Sequence, residues 1–293
     1  MVTLYQLRVF LEVARLGSVG ETANALTVSQ PAISAALAAL QGTIGVKLTE
    51  RDGRKIRLTQ AGRAFELYIR RIFALLDEAE QCAREYATIS QSRISIAAVT
   101  TAAEHLVPQL LQCFRQKWPD VGVELDVGNH VYVWDRLRNW EVDLVIAGRP
   151  PQDVPLRTLA TRAHEMIVIA PAGENFTQMP LGSATWLMRE IGSGTRAVTH
   201  EFFEALGIDP PQLSIASNGA ISACVRAGLG FSLVSRDGVE DDLRTGGVQQ
   251  IATAFTPLDR QWHLVVARDR DLRPAVERFV AFAVERCGFV ASV

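Results

Sequence analysis

The stretch after Gly62 constrains this chain most, because it holds neither glycine nor proline until well past residue 90. Apolar residues recur along it at alternating steps of four and three, which are the a and d positions of a heptad repeat. The repeat runs through Phe65, Ile69, Ile72, Leu76, Ala79, Ala83 and Tyr86. It predicts one long helix whose seam either pairs with a second copy of the chain or lies on its own domain.

Charge differs between the two parts that this helix separates. Residues 1–65 carry eight basic and four acidic side chains, a net charge of +4, although the whole chain of 293 residues has a net charge of -2. The remaining residues therefore sum to -6. A basic head on an acidic body is expected when one end binds nucleic acid, while a chance excess of solvated arginines is the alternative.

The head has the pattern of a helix-turn-helix. Apolar residues from Leu4 to Ala14 recur at helical spacing, and residues 16–18 form a helix stop. A second short helix is predicted over residues 19–26. After a tight turn, Ser29 suits the N-cap of a third helix and Pro31 suits its first turn, where a missing N–H costs nothing.

A basic hairpin is predicted after the third helix. Residues 48–58 have strand character on both sides of Asp52-Gly53, a dipeptide that favours a tight turn. The arms carry Arg51, Arg54, Lys55 and Arg57. This hairpin would serve as the wing of a winged helix-turn-helix.

The ordered segments "LRVFLEVARLGSVGETANALTVSQPAIS" and "LQGTIGVKLTERDGRKIRLTQAG" resemble the winged helix-turn-helix of LysR-type transcriptional regulators over residues 1–65. The third helix departs from that family, because positions 35, 36, 38 and 39 are alanine where basic and polar residues are common. We therefore expect its first turn to carry the direct contacts with bases.

Affinity and specificity for DNA need not reside on the same element, since phosphate contacts supply most of the affinity and base contacts the specificity. We expect Gln30 to pair with adenine, Ala32 and Ala35 to meet thymine methyls, and the wing to hold the backbone. The alternative for the alanines is good helix formers packed on the domain core. The candidate DNA-binding residues are Ser29, Gln30, Pro31, Ala32, Ser34, Arg51, Arg54, Lys55 and Thr59.

Strands and helices alternate after residue 92. "RISIAAV", "VGVELDVG" and "DLVIAG" are strand patterns separated by helices near 104–117 and 133–140, an order that predicts a parallel sheet with helices on both faces. A second group begins at "HEMIVIAP". The closing "LVVARDRDLRPAVERFVAFAVERC" resembles the family's final strand and helix, which cross back onto the first lobe.

The predicted fold is therefore α/β: an N-terminal winged helix-turn-helix, a long dimerisation helix, and an effector-binding domain of two α/β lobes similar to periplasmic solute-binding proteins. The predicted limits are 1–60 for the DNA-binding domain, 61–91 for the linker helix and 92–293 for the effector domain, with lobe I at 92–161 and 268–293 and lobe II at 162–267.

Ligands of open α/β sheets bind at the carboxyl ends of the strands, and helix N-termini rich in Ser, Thr and Gly favour anions. The resemblance points to the same places, which predicts a small carboxylate or phosphorylated metabolite between the lobes. For Thr195 and for a serine or threonine after a strand in general, plain helix capping is the alternative. The candidate effector-binding residues are Thr100, Thr101, Asn129, His130, Gly148, Arg149, Ser193, Thr195, Arg196 and Asn218.

Other classes of protein fit the sequence less well. Gly-x-Ser-x-Gly is absent, "GSGTR" is neither a P-loop nor a dinucleotide fingerprint, and the four cysteines and five histidines have no metal spacing, so we expect neither an enzyme nor a metal or other cofactor. A small-molecule binding protein without specific DNA reading is the alternative. No stretch has the pattern of a signal peptide or membrane span, so a cytoplasmic location and no membrane partner are expected.

The resemblance implies a two-state mechanism. Effector binding favours one orientation of the lobes, which changes how a homodimer or a tetramer of two dimers spaces its DNA heads on a pseudo-palindromic double-stranded site. RNA polymerase is a further candidate partner.

Overall fold

The computed structural model describes residues 1–53, 55–87, 92–173 and 181–292, without the side chains of residues 86 and 87. These residues divide into two units, Met1–Glu80 and Gln81–Val293, and each is described by itself. The domain and lobe limits given above stay a prediction.

Three capped helices build the first unit: α1 (Leu4–Leu16), α2 (Val19–Ala25) and α3 (Gln30–Ile44). Thr3 and Ser18 cap the first two by accepting backbone N–H groups, as Ser29 does for α3. The helices then bury one shared core. Its largest fully buried side chains are Phe10, Ile33, Leu40, Leu48 and Ile69.

A hairpin follows α3, as the sequence predicts. Strands β1 (Thr49–Asp52) and β2 (Lys55–Leu58) pair antiparallel, and Gly53 has the positive φ of 61° that a tight turn requires. Residue Arg54 lies outside the described residues. Helix α4 (Gln60–Ala87) begins after the hairpin.

The seam of α4 is only partly available for a partner, which corrects the sequence interpretation. Ile69 is 2% exposed and Phe65 packs edge-to-face on Phe10 with ring centroids 5.3 Å apart, so both belong to the core of the first unit. Ile72 and Leu76 are each 40% exposed. Among the seam residues whose side chains the structure describes, Ile72, Leu76, Ala79 and Ala83 are exposed and left for another surface.

The second unit holds the remaining elements. In chain order they are β3 (Arg93–Val99), α5 (Thr100–His105), α6 (Val107–Lys117), β4 (Gly122–Gly128), α7 (His130–Arg138), β5 (Leu144–Ala147), β6 (Leu156–Pro171), β7 (Trp186–Met188), α8 (Gly194–Leu206), β8 (Gln212–Ser214), α9 (Asn218–Arg226), β9 (Ser232–Ser235), α10 (Glu240–Thr245), β10 (Val248–Ile251), β11 (Leu258–Ala267), α11 (Pro274–Arg286) and β12 (Val290–Ala291).

Two predicted helix limits are wrong. The helix expected near 104–117 is broken at Leu106, because Pro108 lacks an N–H and its ring would clash with the carbonyl of Glu104 in a continuous helix. Helix α7 begins at His130 rather than near 133, because the Asn129 side chain accepts the N–H of Tyr132 at 3.0 Å and so caps it.

One sheet runs through both lobes and it is mixed, not purely parallel. Strands β4, β3 and β5 are parallel as predicted, but β11 pairs antiparallel with β5 and with β6, and β9 and β10 pair antiparallel with β6. The 16 residues of β6 let it belong to lobe I at one end and lobe II at the other. Two lobes therefore share a common pair of strands.

Helices cover one face of this sheet in two separate places. In lobe I, Leu264 and Val266 of β11 pack with α6 and α11; in lobe II, Val168 and Ala170 of β6 pack with α8. Apolar burial at each place stabilises one lobe.

In the described part of the chain, no single helix is long and apolar enough to cross a membrane; α2 and α3 pass that test only as a pair bent by 108°.

Candidate DNA-binding surface and effector cleft

The exposed face of α3 begins with the residues that the sequence predicts to contact DNA. Gln30, Pro31 and Ser34 are exposed and Ala32 is partly buried. Ser29 accepts the Ala32 N–H at 3.4 Å. The first turn therefore presents small and polar groups, and nothing in these positions would stop the helix from approaching a groove closely.

The alanines of α3 divide between the two roles considered for them. Ala36 is 8% exposed and joins Ile33, Leu37 and Leu40 in the core, whereas Ala35, Ala38 and Ala39 are exposed. The middle of the outer face thus consists of methyl groups. A face of this kind offers apolar contact, such as that with a thymine methyl, and few hydrogen bonds.

The hairpin exposes basic side chains beside this helix. Arg51 and Lys55 are exposed, whereas Arg57 forms a 2.7 Å salt bridge with Asp52 across the strands. Thr59 is engaged differently from what the sequence predicts, because its hydroxyl donates to Lys47 O at 2.9 Å and accepts the Gly62 N–H at 3.0 Å. Its geometry is that of the N-cap of α4, and a contact with DNA stays a prediction.

A cavity of about 750 Å³ lies between the two lobes of the second unit. It lies at the carboxyl ends of the lobe I strands, where an α/β sheet binds ligands. Nine of the ten candidate effector residues line it: Thr100, Thr101, Asn129, His130, Gly148, Arg149, Ser193, Thr195 and Arg196.

The N-terminus of α8 is open toward this cavity. Helices α7 and α9 are capped by the side chains of Asn129 and Ser217, but Ser193 makes no capping hydrogen bond although it is 7% exposed. The first N–H groups of this 13-residue helix therefore lack a side-chain acceptor. An anion at this place would receive those N–H groups and the positive end of the helix dipole.

Cationic side chains outnumber acidic ones around the cavity. Four arginines, Arg149, Arg189, Arg196 and Arg260, line it together with one glutamate, Glu201. In the described part of the chain Arg149 and Arg260 form no salt bridge. The balance favours a negatively charged ligand.

Arg189 has its charge matched within the protein. It is 4% exposed and donates to both carboxylate oxygens of Glu190, at 2.8 and 3.0 Å. Burial raises the pKa of Glu190, but the hydrogen bonds from Arg189 outweigh it and leave the pKa below its usual value. This ion pair is a fixed part of the wall.

Asn218 does not line the cavity, unlike the other candidates. Its side-chain amide donates to Thr101 Oγ1 and to Glu104 Oε2, both at 3.1 Å, and its oxygen accepts from Arg189 at 2.5 Å. It therefore joins α9 of lobe II to α5 of lobe I. Direct contact between Asn218 and an effector stays a prediction.

His130 lines the cavity but is held by its neighbours. The indole N–H of Trp134, one turn along α7, donates to Nε2 of His130 at 2.9 Å. The same Nε2 lies 3.2 Å from the carbonyl oxygen of Arg149, so neighbours on two elements hold the ring at this atom.

Sequence reasoning missed the floor of the cavity, which consists of His164, Met166, Ser235, Arg260 and Trp262. These residues come from β6, β9 and β11, and two of them, Trp262 and Met166, also pack in the cores of lobe I and lobe II. Burial, helped by the positive charge of Arg260, lowers the pKa of His164 to about 4. The one signal in the sequence was the spacing of two between His164 and Met166 and between Arg260 and Trp262, which puts each pair on one face of a strand.

Comparison with known proteins identifies both units. Residues 4–63 match the family model described as bacterial regulatory helix-turn-helix protein, lysR family, and residues 89–288 match the LysR substrate binding domain. The chain belongs to the LysR family of transcriptional regulators. It is a DNA-binding regulator with an effector-binding domain. The alternative, a small-molecule binding protein that does not recognise specific DNA, is wrong.

Individual LysR regulators match the whole chain or its effector-binding part. The RuBisCO operon transcriptional regulator of Allochromatium vinosum is 36% identical, covering 97% of this chain and 96% of the relative. The CcmR regulatory domain of Synechocystis PCC6803, solved in complex with 2-PG, is 27% identical with a TM-score of 0.62 and covers 66% of this chain and 96% of that domain. Full-length CbnR, solved with its target DNA, shares the LysR fold at 23% identity, with a TM-score of 0.68 and coverage of 97% and 99%.

Proposed function

We propose that this LysR regulator binds a small anionic metabolite at the open N-terminus of α8 and that this ligand modulates its binding to DNA. The uncapped helix facing a cavity with excess arginines is the observation that carries the proposal. Thr100 and Thr101 face it from lobe I. The similar CcmR regulatory domain was solved in complex with 2-PG, which supports a small anionic effector.

The proposal is tested by calorimetric titration of the full-length protein with 2-PG and a panel of small carboxylates and phosphates. Thr100→Ala and Arg196→Ala should each weaken the binding of an active compound about tenfold or more, because each removes a polar group beside the anion. Arg115→Ala, which removes an exposed cation of α6 away from the cavity, is the control. Equal affinity in all four proteins would reject the site.

We further propose a division of labour on DNA, in which the first turn of α3 reads bases and the hairpin binds phosphates. Exposed Gln30 carries both a donor and an acceptor that suit adenine, whereas Lys55 and Arg51 are point charges at the surface. Arg54, which has the same predicted role as Lys55, is outside the described residues.

Two variants distinguish these roles. Gln30→Ala should cost roughly 1 to 3 kcal/mol on the DNA upstream of the protein's own gene and little on a scrambled duplex, whereas Lys55→Ala should weaken both and lower the salt slope by about one unit. Binding is measured by fluorescence anisotropy at several salt concentrations. An equal loss for Gln30→Ala on both duplexes would contradict base reading.

The exposed part of the α4 seam is proposed to pair two copies of the chain. Ile72, Leu75 and Leu76 are large apolar groups exposed by 40%, 57% and 40%, and a second copy would bury them. Leu76→Glu should then lower the mass measured by sedimentation to that of a monomer, while Asp77→Asn should leave it unchanged. An unchanged mass for Leu76→Glu would place the dimer contact elsewhere.

A further inference from the structure

The two lobes are in contact at two places beside the cavity, one on α5 and one on α7. At the first, the Asn218 side chain of α9 donates to Thr101 Oγ1 and to Glu104 Oε2 of α5, both at 3.1 Å. At the second, the backbone N–H of Val131 in α7 donates to the carbonyl oxygen of Gly192 in lobe II at 3.3 Å. Each place therefore joins one helix of lobe I to lobe II.

The second contact depends on the backbone of both lobes. Val131 lies in the first turn of α7, where a backbone N–H has no acceptor within the helix. Gly192 has a φ of 89°, and a Cβ there would lie 3.2 Å from Nδ2 of Asn129. The close approach of the two segments therefore requires glycine at position 192.

The Arg189–Glu190 ion pair connects these two contacts. Arg189 is 4% exposed and donates to Asn218 Oδ1 at 2.5 Å and to both carboxylate oxygens of Glu190. Burial raises the pKa of Glu190, but hydrogen bonds, mainly from Arg189 and also from Asn129, outweigh it and hold that pKa below its usual value. Polar contacts thus run without a break from α5, through α9 and the ion pair, to the start of α7.

We propose that Arg189 and Glu190 are positioning residues that join the two lobe contacts into one clasp, so that the lobes part or meet at both places together. A buried guanidinium that donates to three side-chain oxygens has a fixed geometry, and the loss of one acceptor leaves it poorly paired. A change at Asn218 is therefore felt at Val131, on a different helix of the other lobe. A ligand between the lobes then acts on one two-state element instead of two independent contacts.

Hydrogen exchange at the Val131 amide of the full-length protein, read by mass spectrometry with fragmentation of overlapping peptides, measures opening of the clasp. Asn218→Ala should raise the exchange rate at Val131 about tenfold or more, although it removes no atom from the second contact. Glu190→Gln should raise it by a similar factor. The double variant should exchange no faster than the faster single variant, because each substitution opens the same clasp.

Glu204→Ala, which removes an exposed carboxylate of α8 outside this network, is the control and should leave the rate at Val131 unchanged. Amides of β3 and β5, in the core of lobe I, should keep the wild-type rate in every variant. An increase that spreads equally to these strands would mean that no separate clasp exists, and it overturns the proposal.

Two further outcomes contradict the clasp. If Asn218→Ala raises exchange in α5 and α9 but leaves Val131 at the wild-type rate, the two contacts are independent. If the factors for Asn218→Ala and Glu190→Gln multiply in the double variant, the ion pair does not join them. Neither the clasp nor its test depends on which effector binds, so failure here leaves the proposed anion site standing, and failure of every acid to bind leaves the clasp standing.

Discussion

At the scale of single residues, the cavity uses histidine in two different environments. The ring of His130 is held at Nε2 by the indole of Trp134, whereas His164 is stacked on Trp262 and surrounded by protein. Burial and the charge of Arg260 keep His164 neutral in the folded state. The pKa of His263 is also lowered, chiefly by burial and then by the positive charge of Arg260. Both residues link protonation to folding.

We predict an acid-dependent loss of stability from His164. The pKa of His164 is about 4 in the folded protein and 6.5 in the unfolded chain, so the unfolded chain binds more protons between these two pH values. The stability that neutral His164 contributes is therefore complete above pH 6.5 and is lost as the pH falls toward 4. Between pH 7 and pH 4.5, wild type should lose about 2 to 3 kcal/mol more than His164→Gln. Urea denaturation at the two pH values measures the difference, and parallel losses would contradict the shifted pKa.

At the scale of elements, the last turns of α4 are fastened to the sheet by buried charges. The carboxylate of Glu85 is fully buried and accepts from Arg273 and from the N–H of Ala275, in the first turn of α11. Arg273 also bonds Asp143 at 2.5 Å, and Arg270 bonds the other oxygen of that carboxylate at 2.7 Å. Two acids and two arginines balance, so the cluster is neutral as a whole.

Breaking this cluster should be costly. Glu85→Ala leaves the Arg273 guanidinium buried with one carboxylate fewer, which is expected to lower the free energy of unfolding by about 3 to 5 kcal/mol. Glu124→Ala removes an exposed partner of Arg93 and serves as the control, with an expected loss of under about 1 kcal/mol. Comparable losses in the two variants would show that Glu85 adds no special stability.

The cap of α3 gives a second prediction at this scale. Ser29→Ala removes the side-chain acceptor for the Ala32 N–H and should destabilise the first unit by about 1 kcal/mol, whereas Ser29→Asp should restore most of it. Thermal unfolding of both variants measures the effect. The hydrogen bond is long at 3.4 Å, so a loss of stability well above about 1 kcal/mol would mean that Ser29 makes a further structural contact.

At the scale of the whole molecule, regulation requires the two units to be coupled. An effector can change DNA affinity only by binding two states of the protein unequally, and such coupling is typically about 1 to 3 kcal/mol. The candidate residues for the two ligands lie on different units, which separates their effects.

We therefore predict that effector binding and DNA binding can be lost separately. Thr100→Ala should abolish the effect of an active acid on DNA binding and leave DNA affinity without the acid unchanged, whereas Lys55→Ala should lower DNA affinity without changing calorimetric binding of the acid. Anisotropy and calorimetry on the same preparations provide both readouts. A Thr100→Ala protein that still responds to the acid would place the effector elsewhere.

The sequence by itself determined what depends on neighbours in the chain. The cap and first turn of α3, the hairpin turn and the strand ends carrying Thr100 and Gly148 follow from local propensity, and the family follows from their order. These features need no knowledge of long-range pairing.

Only the tertiary structure decided which distant residues meet. Phe65, which the heptad pattern assigned to the seam, packs on Phe10 in the core of the first unit. Asn218 of α9 donates a hydrogen bond to Thr101 of α5 and so connects the two lobes. Likewise, His164 and Arg260 face each other because β6 and β11 pair in one register, almost one hundred residues apart in sequence. A periodicity of two assigns each residue to a face of its own strand, but the pairing of strands is set by burial of the whole sheet.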